Sequence, residues 1–367
     1  MRRWITLGLL AATAAITPVL ASQVEYGVNV FASDVPGAGK STDPDLVNAW
    51  GITASPTSPF WIGANGTGTS VLYNGAGTKL GLVVTIPGDG SVTGASFANI
   101  TGSFNGDAFL FDSEDGTVSG WRGALGTNAE ILQTADPSNV YKGIAVANIG
   151  GNGYAYLANF HTGNIDVLKG DSGAPDLTGK FLDPNLPAGY APFDVQNLGG
   201  ALYVTYAVQD GTGHDDVPGL GNGIVDKFDL QGNLLGRLVT GGALNSPWGL
   251  ALAPVGFGDL GGDLLVGNFG DGRIHAYDPT TGAFVETLLN DVGNPLSIDG
   301  LWGLRFGNGV GSGSATTLYF TAGPDGEKHG AFGDLVPTPE PGTWVMMVSC
   351  LGLLALAARR GRSTPAA

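Results

Sequence analysis

Asparagine, aspartate and tryptophan side chains recur at matching places along the chain, where they could bind a ligand. Asn65, Asn159 and Asn268 each end an apolar run and are followed by a glycine within four residues, and tryptophans stand directly before glycine in a second recurring pattern. Amide and carboxylate oxygens that converge beside indole rings would make a concave binding surface. The residues predicted to form this binding rim are Trp50, Asn65, Asp112, Asn159, Asp194, Trp248, Asn268 and Trp302.

A structural role explains the same residues one at a time. Asn before Gly is common in tight turns because its side chain bonds nearby backbone groups and tolerates left-handed φ angles. A tryptophan repeated at equivalent positions packs neighbouring units together. The sequence leaves both interpretations open, and the set is a better candidate than any one member.

Three carboxylates within seven residues make residues 210–216 a candidate calcium loop. Asp210, Asp215 and Asp216 lie close to glycines, and flexible loops rich in oxygen suit Ca²⁺. Their spacing does not match an EF-hand. A solvated acidic loop is the alternative interpretation.

Catalytic patterns are sparse. The sequence has no Ser nucleophile elbow, no paired-histidine zinc motif and no phosphate-binding loop. Of its four histidines, His161 and His329 are the candidates for a general base, because both follow the runs that carry the predicted rim. A non-catalytic protein is therefore favoured over an enzyme.

These candidates sit on a repeated unit that is predicted to hold four short antiparallel strands. An aromatic or aliphatic run recurs six times, with 48, 46, 48, 61 and 55 residues between equivalent positions. With 63 glycines, 21 prolines and 43% hydrophobic residues, the composition fits many tight turns around a core and disfavours long helices and disorder. The sequence predicts an all-β, six-bladed β-propeller with four-stranded blades. A parallel β-helix is the alternative.

The order of the strands predicts how the ring closes and where the candidates lie. Residues 301–336 show three strands, and an extra strand at residues 25–31 precedes the first complete unit. We expect this N-terminal strand to complete the last blade, which hides an open edge. In an up-and-down blade, the loop entering the first strand shares a face with the loop between the second and third strands. The binding rim and both candidate histidines should share that face.

Both ends of the chain carry apolar segments. Residues 1–21 have a basic start, a short apolar run and small residues before a cleavage point, which predicts a signal peptide removed by signal peptidase. Pro18 argues against the alternative, a membrane-anchoring helix. Residues 343–358 would span about 24 Å as a helix, slightly short for a transmembrane helix but workable. This segment follows Pro339, Glu340 and Pro341 and precedes a basic stop of Arg359, Arg360 and Arg362.

The net charge of residues 22–336, the body of the chain, limits the kinds of partner that it can bind. Residues 22–336 carry 11 basic and 31 acidic residues, a net charge of −20. Such a body repels nucleic acid, so we expect no nucleic-acid partner. Cys350, the one cysteine, lies in the C-terminal apolar segment, so no disulfide is expected within the propeller.

The tail, with Pro-Glu-Pro, an apolar segment and an arginine cluster, resembles the PEP-CTERM sorting signal of Gram-negative bacteria over residues 337–362. The resemblance implies recognition and processing by the membrane protease exosortase, transient contact with the inner membrane, and a final place in the cell envelope or outside the cell. A plain tail anchor is the alternative. Through strands such as Trp248-Gly249-Leu250, the body resembles NHL-type six-bladed propellers and a family of secreted bacterial propellers.

These resemblances imply an exported binding or matrix-associated protein. Exopolysaccharide is the implied partner because PEP-CTERM systems tend to accompany it. Some propeller lactonases and lyases hold a divalent cation in the channel on Asn, Asp and Glu oxygens, which Asn65, Asn159, Asn268 and Asp194 could imitate. The alternative function is therefore a metal-assisted hydrolase or lyase acting on a lactone or sugar-like substrate. Ca²⁺ is the one cofactor that the sequence suggests.

Overall fold

Short aromatic and β-branched runs, separated by glycine turns, form six sheets of mainly antiparallel strands in the computed structural model, which describes residues 23–338. Two strands precede the first blade: β1 (Glu25–Ser33) and β2 (Ser41–Thr42). Blade 1 holds β3 (Ala49–Thr53), β4 (Phe60–Ala64), β5 (Thr69–Tyr73) and β6 (Lys79–Thr85). Blade 2 holds β7 (Val92–Phe97), β8 (Phe109–Ser113), β9 (Val118–Trp121) and β10 (Glu130–Gln133). Blade 3 holds β11 (Tyr141–Ile149), β12 (Asn152–Asn159) and β13 (Asn164–Lys169).

The second half of the ring follows the same order. Blade 4 holds β14 (Tyr190–Leu198), β15 (Ala201–Val208), β16 (Ile224–Phe228) and β17 (Leu234–Thr240). Blade 5 holds β18 (Pro247–Leu252), β19 (Leu264–Asn268), β20 (Ile274–Tyr277) and β21 (Phe284–Thr287), and the short β22 (Leu289–Asn290) follows it. Blade 6 holds β23 (Leu301–Phe306), β24 (Leu318–Ala322) and β25 (Ala331–Thr338). The 3-10 turns span Phe104–Gly106, Gly123–Leu125 and Gly258–Leu260.

The six-bladed propeller expected from the repeat is confirmed, and so is its closure. The N-terminal strand β1 pairs antiparallel with β25, from Glu25 opposite Thr338 to Ser33 opposite Ala331. The first strand of each blade contacts the first strands of both neighbouring blades, so these six strands line a central channel. Because β1 supplies the fourth strand of blade 6, the two ends of the propeller are held together by backbone hydrogen bonds.

Blade 3 differs from the expected four-stranded pattern, since its described strands number three. The segment after β13 contains Pro175, Pro184 and Pro187, which cannot donate ladder hydrogen bonds. Its backbone bonds instead to a turn of blade 4: Gly179 N–H donates to the Gln231 carbonyl (2.8 Å), and Phe181 N–H donates to the Gly232 carbonyl (3.0 Å).

A β-bulge interrupts the pairing of the first and second strands in all six blades at the same place. Five of the bulges carry a glycine, at Gly51, Gly94, Gly143, Gly249 and Gly303. A Cβ on Gly51 would lie 2.6 Å from the Thr93 carbonyl oxygen, and one on Gly249 would lie 2.5 Å from the Trp302 carbonyl oxygen. Glycine is needed because neighbouring first strands approach closely at this level of the channel.

Several predicted features lie outside the described residues: the signal peptide, the transmembrane helix over 343–358, and the sorting residues Pro339, Glu340, Pro341, Arg359, Arg360 and Arg362. Within residues 23–338, no helix is long and apolar enough to cross a membrane.

Candidate functional site

At each bulge, the side chain of the residue directly before the glycine position fills the channel at one face. In blades 1, 5 and 6 this residue is tryptophan, and all three rings are buried. The Trp50 and Trp302 rings stack with centroids 3.7 Å apart, and Trp248 meets the Trp302 ring edge-on at 5.7 Å. Phe269 stacks on the other side of Trp302 at 3.9 Å. We call this group, completed by Phe160 and Phe193, the aromatic plug.

Lys142 occupies the position in blade 3 that tryptophan occupies in blades 1, 5 and 6. Its side chain is buried, and its ammonium lies 5.3 Å from the centre of the Trp50 ring. The ammonium also forms an ion pair with Glu114, and it lies 3.7 Å from the Asp215 carboxylate. A buried cation is tolerable here because a carboxylate and the face of an indole ring both stabilise it.

A ring of polar side chains surrounds this ammonium and covers the aromatic plug. Asn48 connects blades 1 and 6: its Nδ2 donates to Glu327 (2.9 Å), and its Oδ1 accepts from the Trp302 indole N–H (3.1 Å). Asn65 donates to Glu114 (3.2 Å). Burial is the main cause that raises the pKa of Glu327. The group of Asn48, Asn65, Glu114, Lys142, Asp215 and Glu327 is called the polar cap below.

The acidic insertion between β15 and β16 reaches the polar cap through only part of its length. Asp210 closes its own loop by accepting from the Thr212 hydroxyl (2.9 Å), and hydrogen bonds from the Thr212 side chain are the main cause that lowers its pKa to about 2. Asp216 is half-buried, and burial raises its pKa. Of the three predicted calcium ligands, Asp215 is the one beside Lys142.

One carboxylate–histidine group could hold a cation at the edge of the cap. Glu114, His214 and Asp215 each place a ligand atom within 4.8 Å of the others. The Lys142 ammonium already contacts Glu114 and lies near Asp215, so a bound cation would have to compete with that charge.

The remaining residues of the predicted rim are buried within turns or strands. Asn159 accepts from Thr162 N–H (3.2 Å) and donates to Asp166 (2.7 Å), and Asn268 donates to Asp271 (3.1 Å). Asn159 also donates to Asn139 (2.8 Å), and Asn268 also donates to the Ala243 carbonyl (2.9 Å). Both side chains therefore hold the turn and the entry loop of their own blades, as the structural interpretation expects. Asp112 accepts from the Gly94 N–H (2.7 Å) within blade 2, and burial raises its pKa to about 7.

Asp194 stands where the other five blades have glycine. In blade 2 that glycine is Gly94, which Asp112 contacts. Asp194 lies deeper in the channel than the plug, beside a small enclosed cavity that Trp248 and Gln196 also line. Burial raises the pKa of its carboxyl well above the ordinary value, and the Gln196 amide donates to it (3.1 Å).

The two candidate general bases do not meet the cap carboxylates. His161 is exposed, and its carbonyl accepts from Gln209 (3.3 Å). His329 pairs through Nδ1 with Asp34 (2.8 Å), and Asp34 also accepts from Gly330 N–H (2.7 Å). This pairing ties the β24–β25 loop to the loop after β1.

Three members of the cap, Glu114, Lys142 and Glu327, were missed as site residues by the sequence reasoning. The repeat contained a signal for Lys142, since Lys142-Gly143 matches Trp50-Gly51, Trp248-Gly249 and Trp302-Gly303. Glu114 and Glu327 follow the second strands in loops of different length, so spacing alone does not align them.

Comparisons with known proteins found a match for the C-terminal tail and separate matches for the body of the chain. The PEP-CTERM protein-sorting motif matches residues 337–362. Uncharacterized protein R648 of Acanthamoeba polyphaga mimivirus is 35% identical over 299 residues, which cover 76% of this chain and 73% of that protein. Uncharacterized protein L690 of the same virus is 31% identical over 333 residues, 85% of this chain and 86% of that protein.

Solved structures with the same general architecture are distant. A streptogramin B lyase structure has 12% identity and a TM-score of 0.45 and covers 85% of this chain and 98% of its own. A glucose dehydrogenase structure has 12% identity and a TM-score of 0.48, and the match covers 85% of this chain and 100% of that one. Likenesses this weak say nothing about activity. The PEP-CTERM motif indicates an exported protein that exosortase processes, and the body of the chain belongs to the family that includes the mimivirus proteins R648 and L690.

Proposed function

We propose that this protein is an exported, non-catalytic β-propeller that associates with the extracellular matrix and binds exopolysaccharide through the polar cap. The observation that carries the proposal is the aromatic plug beneath an ion-paired Lys142. Among residues 23–338, stacked rings fill the channel at this face, which favours binding at the surface over enclosure of a small substrate. A surface of this kind suits binding better than turnover, because catalysis benefits from a site that excludes water.

The chemistry of the cap fits hydroxyl-rich ligands. Carboxylates and amides at its edge can accept hydrogen bonds from sugar hydroxyls, and the amide N–H groups can donate to ring oxygens. The Asp215 side chain is 71% exposed, so part of the cap is open to an approaching chain. With a body charge of −20, a neutral polysaccharide approaches freely, whereas an acidic one needs bridging cations.

Binding to matrix polysaccharide tests the proposal. Purified secreted protein is titrated with neutral and acidic exopolysaccharide fractions, each with and without calcium. Asn65→Ala and Asp215→Asn should each weaken binding roughly fivefold, since a net hydrogen bond is worth about 1 kcal/mol. Val255→Ser is the matched control, because Val255 is 90% exposed on the β18–β19 loop, which opens on the opposite face. Equal affinities for all variants would contradict binding at the cap.

A metal-assisted hydrolase or lyase is the second candidate, favoured by the cluster of Glu114, His214 and Asp215. Calorimetry with calcium on the wild type, and on variants with alanine at Asp215 and Asp216, measures whether the loop binds the ion. A lactone panel, assayed with and without calcium, measures turnover. Calcium-dependent turnover that Glu114→Gln abolishes would replace the binding proposal with this one.

A further inference from the structure

The opposite mouth of the channel differs in shape and charge from the capped mouth. The C-terminal ends of the first strands meet there, and they leave two adjoining cavities of about 320 and 250 Å³. Both cavities are lined by Gln196, Asn197 and Arg305, from the first strands of blades 4 and 6. Cavities of this size accept a ligand of about monosaccharide size.

Arg305 is unusual among the four arginines of residues 23–338. Arg122 pairs with Asp107 (2.8 Å), Arg237 pairs with Asp183, and Arg273 lies 4.0 Å from Asp271. Arg305 has no carboxylate partner in the described part of the chain, and one of its N–H groups donates to the Ala54 carbonyl (2.9 Å). Burial lowers the pKa of its guanidinium to about 10, which leaves it a full cation at neutral pH.

The carbonyl contact orients Arg305 without neutralising it. A guanidinium has five N–H donors, so one hydrogen bond to Ala54 leaves a pair of donors for a second group. Burial raises the pKa of Asp194, on the same strand as Gln196, which disfavours its charged form. A partly desolvated cation with free donors attracts a carboxylate, which it can hold in a bidentate pair.

The other lining side chains supply hydrogen bonds rather than charge. Gln196 and Asn197 stand beside Arg305, and Ser55, Ser96 and Asn308 line the larger cavity. Asn308 is held by donating to the Ser55 carbonyl (2.9 Å), and Asn197 by donating to the Val146 carbonyl (3.0 Å). Fixed amides and hydroxyls around one cation suit a ligand with several hydroxyl groups and one negative charge.

We propose that this uncapped mouth binds a monosaccharide-sized sugar acid, whose carboxylate pairs with Arg305 and whose hydroxyls meet the amides of Gln196 and Asn197. The site lies at the other end of the channel from the polar cap, so it is additional to matrix binding at the cap. Each proposal can fail alone: Asn65→Ala should leave sugar-acid affinity unchanged.

Calorimetry with galacturonate on the whole secreted protein tests the site. Galactose and the methyl ester of galacturonate keep the size and hydroxyls but lack the charge, and both should bind at least tenfold more weakly. Arg305→Met should weaken galacturonate binding at least tenfold, and Arg305→Lys less. Arg273→Met is the matched control, since Arg273 is 46% exposed and lies at the face of the cap, and it should bind like the wild type.

A chemical measurement keeps the test decisive if Arg305→Met fails to fold. Phenylglyoxal modifies accessible arginines, and mass spectrometry of wild-type peptides reports the modification of Arg305. Galacturonate should protect Arg305 and leave Arg273 unprotected. Equal binding of galactose, tighter binding of inorganic phosphate than of galacturonate, or no protection of Arg305 would each overturn the proposal.

Discussion

The ion pair beneath the polar cap makes a sharp prediction about stability. Lys142→Met keeps the length of the side chain but removes the charge, and it leaves the Glu114 carboxylate, which is only 15% exposed, without its cation. Breaking a buried ion pair by removing one partner costs about 3–5 kcal/mol. Because Glu114 and Asp215 retain some contact with water, the lower end applies, and we expect a loss of about 3 kcal/mol in the free energy of unfolding.

A double-mutant cycle separates the ion pair from the shape of the side chains. Lys142→Met combined with Glu114→Gln removes both charges, so stability should return to within about 1 kcal/mol of the wild type. Urea unfolding followed by tryptophan fluorescence measures each variant. Lys169→Met is the control, because its partner Asp176 is 91% exposed, and it should cost less than about 1 kcal/mol. If Lys142→Met costs no more than this control, the ion pair does not stabilise the cap.

Three further predictions concern a buried acid, the aromatic plug and the ring closure. Burial raises the pKa of Asp112 from 3.8 to about 7, so the folded state binds a proton that the unfolded chain releases, and stability falls as the pH rises from about 4 to 7. Asp112→Asn should remove about 2 kcal/mol of the fall between pH 5 and pH 7 in urea titrations, and an unchanged pH dependence would contradict this. Trp302→Ala should lower the free energy of unfolding by about 4 kcal/mol, measured by calorimetry, because it empties the space between two stacked rings. A near-UV circular dichroism spectrum like that of the wild type would argue against the stack. Deleting residues 23–33 exposes the β25 edge and should cause association that rises with concentration; a stable monomer in light scattering would refute the closure.

Much of the fold was predictable because each blade is built from neighbours in the sequence. The apolar runs, the glycine turns and the spacings of 46 to 61 residues indicated six blades, and the unmatched strand at residues 25–31 indicated the closure. Blade 3 departed from the pattern because its proline-rich fourth segment bonds to blade 4, and sequence periodicity cannot report a partner in another unit.

The site was predictable only in part. The tryptophans before glycine do converge in the channel, but their burial is a consequence of the three bulges of blades 1, 5 and 6, which aim these side chains inward. Asn159 and Asn268 have the same sequence pattern as Asn65, yet they bond to the turn and the entry loop of their own blades, whereas Asn65 reaches Glu114 of the next blade. The pattern cannot tell these two outcomes apart, because both use the same side chain at the same turn.

The sequence by itself determined the repeat, the export tail and the strongly acidic body, since each is a property of local order or of simple counting. Tertiary structure alone decided that Lys142 faces Glu114 above a tryptophan stack, and that Arg305 stands without a carboxylate at the other mouth. The physical reason is that a residue in the channel meets partners from other blades, such as Asn48 and Trp302, 254 residues apart. Closing the ring brings such residues together, and only their final distances determine which charges are neutralised.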